Sequence, residues 1–362
     1  MMLAAISSLS IMAQAGTQED SFLKDLVVSG FLDVYYQHSF NNPGVGQSLA
    51  FRQLDTKHAS FTLSALQLNV QKKTSAESPF GFLVQVSAGR ATDILHGAEP
   101  GGVDTYKLLQ QAYVTYASPD GTTVDVGKFL SWVGYEGVQP VLNDLYSISF
   151  LFFFAQPSYH FGVRASRPLG PATASVFLVN GWNEVEDSNA NKSYGASFSL
   201  PIGGKTTATL NYYGGVEGSG GVNGFYGVAG GGKSGVNLAD LIVVHQLPPK
   251  VKLALNADYA DVKRDWGPSG KFRGVLGTVR AQLTDKFAAA VRYETVSDPN
   301  GLRSAVDGRF NSLTGGVEYF IRPESVLRLE LRSDNSNQNV FEAENGPKKT
   351  RTTITLAHIL RF

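Results

Sequence analysis

The stretch Val326-Leu327-Arg328-Leu329-Glu330-Leu331-Arg332-Ser333 decides the fold. Leu327, Leu329 and Leu331 fall on one face of an extended chain, and Arg328, Glu330 and Arg332 fall on the other. Side chains of a strand alternate between faces, whereas a helix repeats every 3.6 residues, so this spacing is a strand's. Val251, Leu253, Leu255, Ala257 and Tyr259 oppose Lys252, Asn256 and Asp258 in the same way. So do Phe287, Ala289, Val291 and Tyr293 against Arg292 and Glu294, and Phe82, Val84, Val86 and Ala88 against Gln85 and Ser87.

Extended along the chain, the alternation predicts an all-β fold of about sixteen antiparallel strands, each near the ~9–11 residues of a barrel wall. They are expected near 27–38, 61–72, 80–90, 106–117, 121–130, 157–167, 172–181, 192–201, 205–214, 236–247, 250–260, 272–282, 285–295, 311–321, 325–334 and 350–362. The connections alternate in length. Ser39 to Ser60, Arg90 to Thr105, Leu130 to Gln156 and Gly215 to Gly235 are long. Ser118 to Gly121, Pro201 to Gly204, Leu247 to Lys250 and Arg322 to Glu324 are tight. A transmembrane barrel has short periplasmic turns and long external loops. A soluble sandwich has no reason to sort its loops this way. An even strand number also places both termini on the periplasmic side.

The composition fits such a wall. Among 362 residues, Lys plus Arg is 31 and Asp plus Glu is 31; charged residues are 17%, Gly numbers 39, aromatics are 11%, and Cys is absent. The zero net charge and the lack of a basic run argue against nucleic-acid binding. Without Cys there is no disulfide framework and no Cys-held zinc or haem. A hydrophobic share of 43% argues against disorder.

Residues 1–15, MMLAAISSLSIMAQA, are expected to be a signal peptide, with Ala13-Gln14-Ala15 as the small-residue cleavage pattern. Its basic n-region is missing, so the assigned start is expected to lie too far downstream. The competing reading is an apolar N-terminal helix. Residues 16–362 would form a single barrel domain. The longest other apolar run, Ile148 to Ala155, is far short of the ~20 residues of a spanning helix.

In lipid every backbone polar group must be paired internally, so only helices or a closed sheet can span. The apolar strand faces then meet lipid, and the polar faces line the lumen. Tyr36, Tyr159, Tyr194, Tyr212, Tyr259 and Tyr293 are expected at the outer rim, and Tyr116, Phe287, Tyr319 and Phe362 at the periplasmic rim. Aromatic girdles of this kind sit at headgroup level. Ile354, Leu356, Leu360 and Phe362 share a face, and a terminal aromatic resembles the signal by which the barrel assembly machinery recognises outer-membrane barrels.

Candidate chemistry is sparse. Gly227 to Ser234 satisfies the phosphate-loop pattern G-x-x-x-x-G-K-[ST] but lies between two alternating strands instead of a buried strand and a helix. His38, His58, His96, His160, His245 and His358 show no metal-ligand spacing. His160 is placed on the lumen side beside Arg164. No catalytic residue, cofactor or metal is expected.

The charges that alternation points inward are the pore-lining candidates. They are Arg164, Lys252, Arg280, Arg292, Arg328 and Arg332 against Asp33, Asp125, Asp258, Glu294, Glu318 and Glu330. In a water-filled lumen they would be solvated and act on passing ions. Alternatively they brace the wall as a salt-bridge network; the two roles are compatible. The segment Leu130 to Gln156 carries Trp132, Tyr135, Glu136, Asp144, Tyr146 and Phe152 within a strongly apolar stretch unsuited to solvent. It is the candidate constriction loop, folded onto the lumen wall; an extra strand or a subunit contact is the alternative.

Several segments resemble the OmpL-like outer-membrane beta-barrel porin family. They are Ser29 to Tyr36, Val124 to Phe129, Tyr159 to Arg164, Asn180-Gly181-Trp182-Asn183 with Asn191-Lys192, and the terminal Phe362. The resemblance spans nearly the whole mature chain. It implies an outer-membrane porin and supplies no functional residues.

The sequence therefore predicts a bacterial outer-membrane barrel that passes small hydrophilic solutes passively. Its partners would be the lipid bilayer, those solutes and the assembly machinery. A homotrimer is compatible with small outward residues such as Ala112, Ala196 and Ala208. The rivals are a barrel sheathing a haem-bearing electron conduit, and a barrel enzyme.

Overall fold

The computed structural model describes residues 25–96, 104–218, 232–265 and 267–362. The expected signal segment lies outside them, as does most of the glycine-rich phosphate-loop match. The strands are β1 (Leu26–Ser39), β2 (Ser60–Lys72), β3 (Phe80–Ala88), β4 (Leu109–Ala117), β5 (Thr123–Leu130), β6 (Tyr159–Leu169), β7 (Ala172–Val179) and β8 (Ser193–Ile202). They continue as β9 (Thr206–Glu217), β10 (Ser234–Leu247), β11 (Val251–Arg264), β12 (Gly270–Gln282), β13 (Phe287–Asp298), β14 (Gly308–Arg322), β15 (Ser325–Ser336) and β16 (Thr350–Arg361). Each pairs antiparallel with its sequence neighbours, and β1 pairs with β16, so the sixteen strands close into one barrel.

Closure leaves no free sheet edge, and therefore no row of unpaired backbone groups facing lipid. The seam runs from Phe31↔Arg361 to Ser39↔Thr353. Phe362 extends it: Gly30 N donates to Phe362 O at 2.8 Å, and Phe362 N donates to Gly30 O at 3.0 Å. A Cβ at position 30 would stand 2.7 Å from the Phe362 ring and 2.2 Å from Gln67 O, so glycine is required there.

The wall has the reverse polarity of a soluble barrel. Leu331 is 54% exposed on the outside, and its neighbour Arg332 is 0% exposed inside. In lipid each outward Leu regains roughly the ~1.5–3 kcal/mol that its exposure to water would cost. No helix of the described residues is long and apolar enough to cross a membrane.

Connections alternate between the rims as expected, with two differences. β11 and β12 extend to Arg264 and from Gly270, so the connection expected at Asp261 to Lys271 is short. β4 begins at Leu109 instead of 106, because Asp104–Lys107 form a short helix, and Gln110 stands in the strand as a bulge where the register slips between Gln85 and Val86. Ser234, the last residue of the phosphate-loop match, opens β10 and pairs with β9 and β11, so no helix follows the glycines.

The outward aromatics Tyr194, Tyr259, Tyr293, Tyr116, Phe287 and Phe362 are exposed. Tyr159 is a correction to the expected girdle. It is buried under the connection after β3, with His96 stacked on its ring at 4.8 Å and Lys128 Nζ at 4.3 Å.

Candidate pore and its inward-folded segment

The longest connection, 131–158 between β5 and β6, folds into the barrel. It leaves β5 through Trp132, which stacks on Phe177 at 3.8 Å and donates to Tyr212 O at 3.2 Å. A Cβ on Gly195 would lie 2.0 Å from the Trp132 indole, so the bare backbone there makes room for the ring. The segment then crosses to the β10–β16 side of the lumen and ends in the short helix Phe150–Ala155. Ser149 caps that helix by accepting from Phe152 N at 3.0 Å. Phe150, Leu151 and Phe154 pack with Phe272, Val296 and Phe310 of the wall in an apolar core. Phe152 faces a second cluster with Leu54, Ala91 and Ile148.

Charged wall residues hold the remainder of the segment. Arg328 donates to Pro140 O at 2.7 Å and to Asn143 O at 3.0 Å. Glu330 accepts from Tyr146 N at 2.7 Å and Ser147 N at 3.1 Å. Arg332 donates to Ile148 O at 2.6 Å and lies over the Phe150 ring at 4.7 Å. Glu294 accepts from Leu151 N at 3.0 Å. Arg292 donates to Ser147 O at 2.6 Å and pairs with Glu136. Asp33 accepts from Tyr146 Oη at 3.0 Å, and Asp258 from Gln156 Nε2 at 2.8 Å. Lys252 pairs with Asp144 at 2.6 Å, and Tyr135 Oη donates to the same carboxylate at 2.5 Å. Glu318 joins Arg280 at 2.5 Å and Arg328 at 2.7 Å.

All twelve candidate wall charges point inward, but hydration divides them. Asp33, Asp258, Arg292, Glu294, Glu330 and Arg332 are buried beneath the segment. The expectation that they meet lumen water is therefore corrected; backbone and side-chain groups of the segment replace water as their partners. Arg164, Lys252 and Arg280 keep 28%, 29% and 23% of their side chains exposed. Lys252, Arg280, Glu318 and Arg328 line a cavity of about 220 Å³ with Asn143 and Asp144, towards the short-turn rim. Arg164 pairs with Asp125 at 2.5 Å on the opposite wall. His160 is also corrected: it is buried, its Nδ1 donating to Gly181 O at 2.9 Å, with its ring 4.5 Å from Trp132.

A second inward segment escaped the sequence reading. The connection 40–59 brings Arg52 to Asp55 at 2.6 Å and to Asp334 at 3.0 Å. Asp334 also pairs with Arg332 at 2.6 Å and Arg351 at 2.8 Å, so one carboxylate gathers three guanidinium groups. The available signal was Phe51-Arg52-Gln53-Leu54-Asp55, apolar and charged residues in a connection otherwise rich in polar turn formers.

The β2–β9 side differs. Towards the short-turn rim its inward residues Asn69, Gln71, Thr115, Ser166, Ser175, Ser197, Ser199 and Thr209 are half-buried, neutral and polar. Asp125 and Arg164 are the charged pair there.

Residues 25–362 match the model of the family described as "Putative beta-barrel porin-2, OmpL-like". The chain belongs to this porin family. Among solved structures, the anion-selective porin from Comamonas acidovorans matches with a TM-score of 0.64 at 11% identity, covering 93% of this chain and 99% of that one. OmpT of Vibrio cholerae in a trimer form gives a TM-score of 0.64 at 9% identity, covering 93% and 99%. The outer membrane channel DcaP of Acinetobacter baumannii gives 0.61 at 10% identity, covering 93% and 97%. No curated protein matches the sequence. At these identities the likeness to solved structures is one of fold, and the family match is what makes the chain a porin.

Proposed function

We propose that this porin sits in the outer membrane and passes small hydrophilic solutes by passive diffusion, with 131–158 as its constriction. The observation that carries the reading is the inward fold of that segment. It anchors mainly to β10–β16 and β1, with Trp132 seated on β7–β9, and leaves the polar residues of β2–β9 towards the short-turn rim half-exposed. The route runs between the segment and that wall, past Asp125 and Arg164. Lys252, Arg280, Glu318 and Arg328 act at the vestibule on the short-turn side. The buried charges act on solutes indirectly, by fixing where the segment stands.

The short turns face the periplasm and the long connections face outward, which puts both ends of the wall on the periplasmic side. Phe362 is the terminal signal for barrel insertion; its exposed ring at the seam is open to recognition before closure. Assembly as a homotrimer is supported by the trimer form of a structural neighbour. A sheath around a partner is disfavoured, because the chain's own segments 40–59 and 131–158 occupy the lumen. No catalytic role is assigned.

Purified protein in a planar bilayer tests the channel. Stepwise conductance is expected, with liposome swelling that falls off as sugar size increases. A bilayer that shows no steps while the protein is inserted and heat-modifiable on gels would overturn the reading.

A further inference from the structure

The outside of β11–β14 carries a feature that solute passage does not use. Tyr259, Arg273, Ser297 and Arg309 form one row, each paired directly with the next across the strands, and all point away from the lumen. Ala239 continues this row beyond Tyr259, and Ala257 lies one row below between Leu241 and Val275; both are too small to fill the space beside Leu210, Leu241 and Val275. They leave a groove of about 530 Å³ that Arg273 and Arg309 overhang.

Both arginines are exposed, and neither has an ion-pair partner among the described residues. A charged side chain on the lipid face is costly at the bilayer midplane and tolerated near the interface. Tyr259, in the same row, marks the headgroup level. Two free guanidinium groups thus stand where lipid phosphates lie, above a groove that fits hydrocarbon. β13 separates them, so their strands are roughly 10 Å apart, twice the interstrand spacing. Lys271 adds a cation one row nearer the long connections, with Nζ 5.7 Å from the Tyr259 ring.

We propose that this groove binds one phosphorylated, multiply acylated glycolipid of the outer leaflet. An acyl chain lies on Leu210, Ala239, Leu241, Ala257 and Val275. The sugar phosphates take Arg273 and Arg309, whose planar forks suit phosphate oxygens. A headgroup with two separated phosphates uses both arginines, and a single-phosphate glycerolipid uses one. The inference rests on the outer-membrane reading, with the long connections facing outward.

The test is native mass spectrometry of the full chain in detergent, titrated with bisphosphorylated lipid A, its dephosphorylated form, or phosphatidylglycerol. One bound lipid A per chain is expected, with the other two at least about tenfold weaker. The double variant Arg273→Gln/Arg309→Gln should lose about tenfold in lipid A affinity, while Arg167→Gln, at the short-turn rim, should lose nothing. Heat-modifiability and bilayer conductance of the same samples report a folded barrel and the channel separately. Equal binding of all three lipids, or an unchanged double variant, overturns the site even where conductance is present. Lipid A binding lost with the two arginines in a non-conducting barrel upholds the site and overturns the channel. Chain multiples that form without lipid and dissociate in the double variant would reassign the groove to a second copy and overturn the proposal.

Discussion

The two sides of the lumen arise from the same alternation of apolar and polar residues, yet one is dry and the other wet. Along β10–β16 and β1, Arg292, Glu294, Glu330 and Arg332 are covered by 131–158. Along the short-turn half of β2–β9, Arg164 and its neutral neighbours keep contact with the lumen, as Lys252 and Arg280 do at the short-turn ends of β11 and β12. Strand phase determines which way a side chain points. A segment far away in sequence determines whether it meets water. The dry side therefore behaves as a protein core with buried ion pairs, and the wet side as a polar surface.

The largest expected effect is on the dry side. Arg332 is buried among Asp334, Glu294, Ile148 O and the Phe150 ring. Arg332→Ala removes one partner of a buried network and leaves carboxylates uncompensated, at a cost of about 3–5 kcal/mol. The urea midpoint of the detergent-solubilised barrel should fall accordingly. An unchanged midpoint would mean that water reaches this wall and that the contrast between the sides is wrong.

Glu330→Gln is gentler. The side chain keeps its shape and loses the charge that accepts from Tyr146 N and Ser147 N. The loss is about 1 kcal/mol, roughly a fivefold to tenfold rise in hydrogen exchange of those two amides. Exchange rising equally along β6 instead would place the effect in the wall and not in the segment.

The wall was legible in the sequence because lipid enforces a period of two on its outward residues, interrupted at the outer rim by Arg273, Ser297 and Arg309. Leu327, Leu329 and Leu331 alone fix the phase of β15. The inward direction of Arg328, Glu330 and Arg332 follows from that phase, and that of the other nine charges from the phase of their own strands. Their burial does not, because it depends on contacts such as Arg328 to Pro140 O, across 188 residues. The apolar run Phe150 to Phe154 signalled that 131–158 would leave solvent, but not which wall it would choose. The connection 40–59 carried too little apolar residue to announce itself, and its Arg52 is explained only by Asp55 and Asp334. Tyr159 and His160 misled for a related reason: they lie at a strand end, where loops cover positions that the alternation marks as lipid or lumen.

A pH titration sharpens the boundary between wall and loops. Glu184 lies in the connection 180–192. Burial raises its carboxyl to about 7, with the nearby Glu217 carboxylate adding to the effect and hydrogen bonds from Ser188 opposing it. The folded form therefore favours a protonated Glu184. Its contribution is fully present below its ordinary value of 4.5 and is lost as pH rises through about 7. Hydrogen-exchange protection of 180–192 should drop across that window, and Glu184→Gln should flatten the profile. A drop that survives in Glu184→Gln would assign the titration to another group.

The smallest effect on stability belongs to the wet side. Arg164 pairs with Asp125 at 2.5 Å but remains partly in water and also lies near the rings of Tyr113 and Phe129. Arg164→Gln should change the unfolding free energy by no more than ~1 kcal/mol, as for other hydrated pairs. Its effect should appear in transport. Asp125 then faces the route without its counter-charge, so the reversal potential in a salt gradient should move towards cation preference. A midpoint that falls as far as that of Arg332→Ala would show that Arg164 is part of a dry core. The route would then have to run elsewhere, through the vestibule of Lys252 and Arg280. An unmoved reversal potential with unchanged stability would also take Arg164 off the path, while leaving the β2–β9 wall wet.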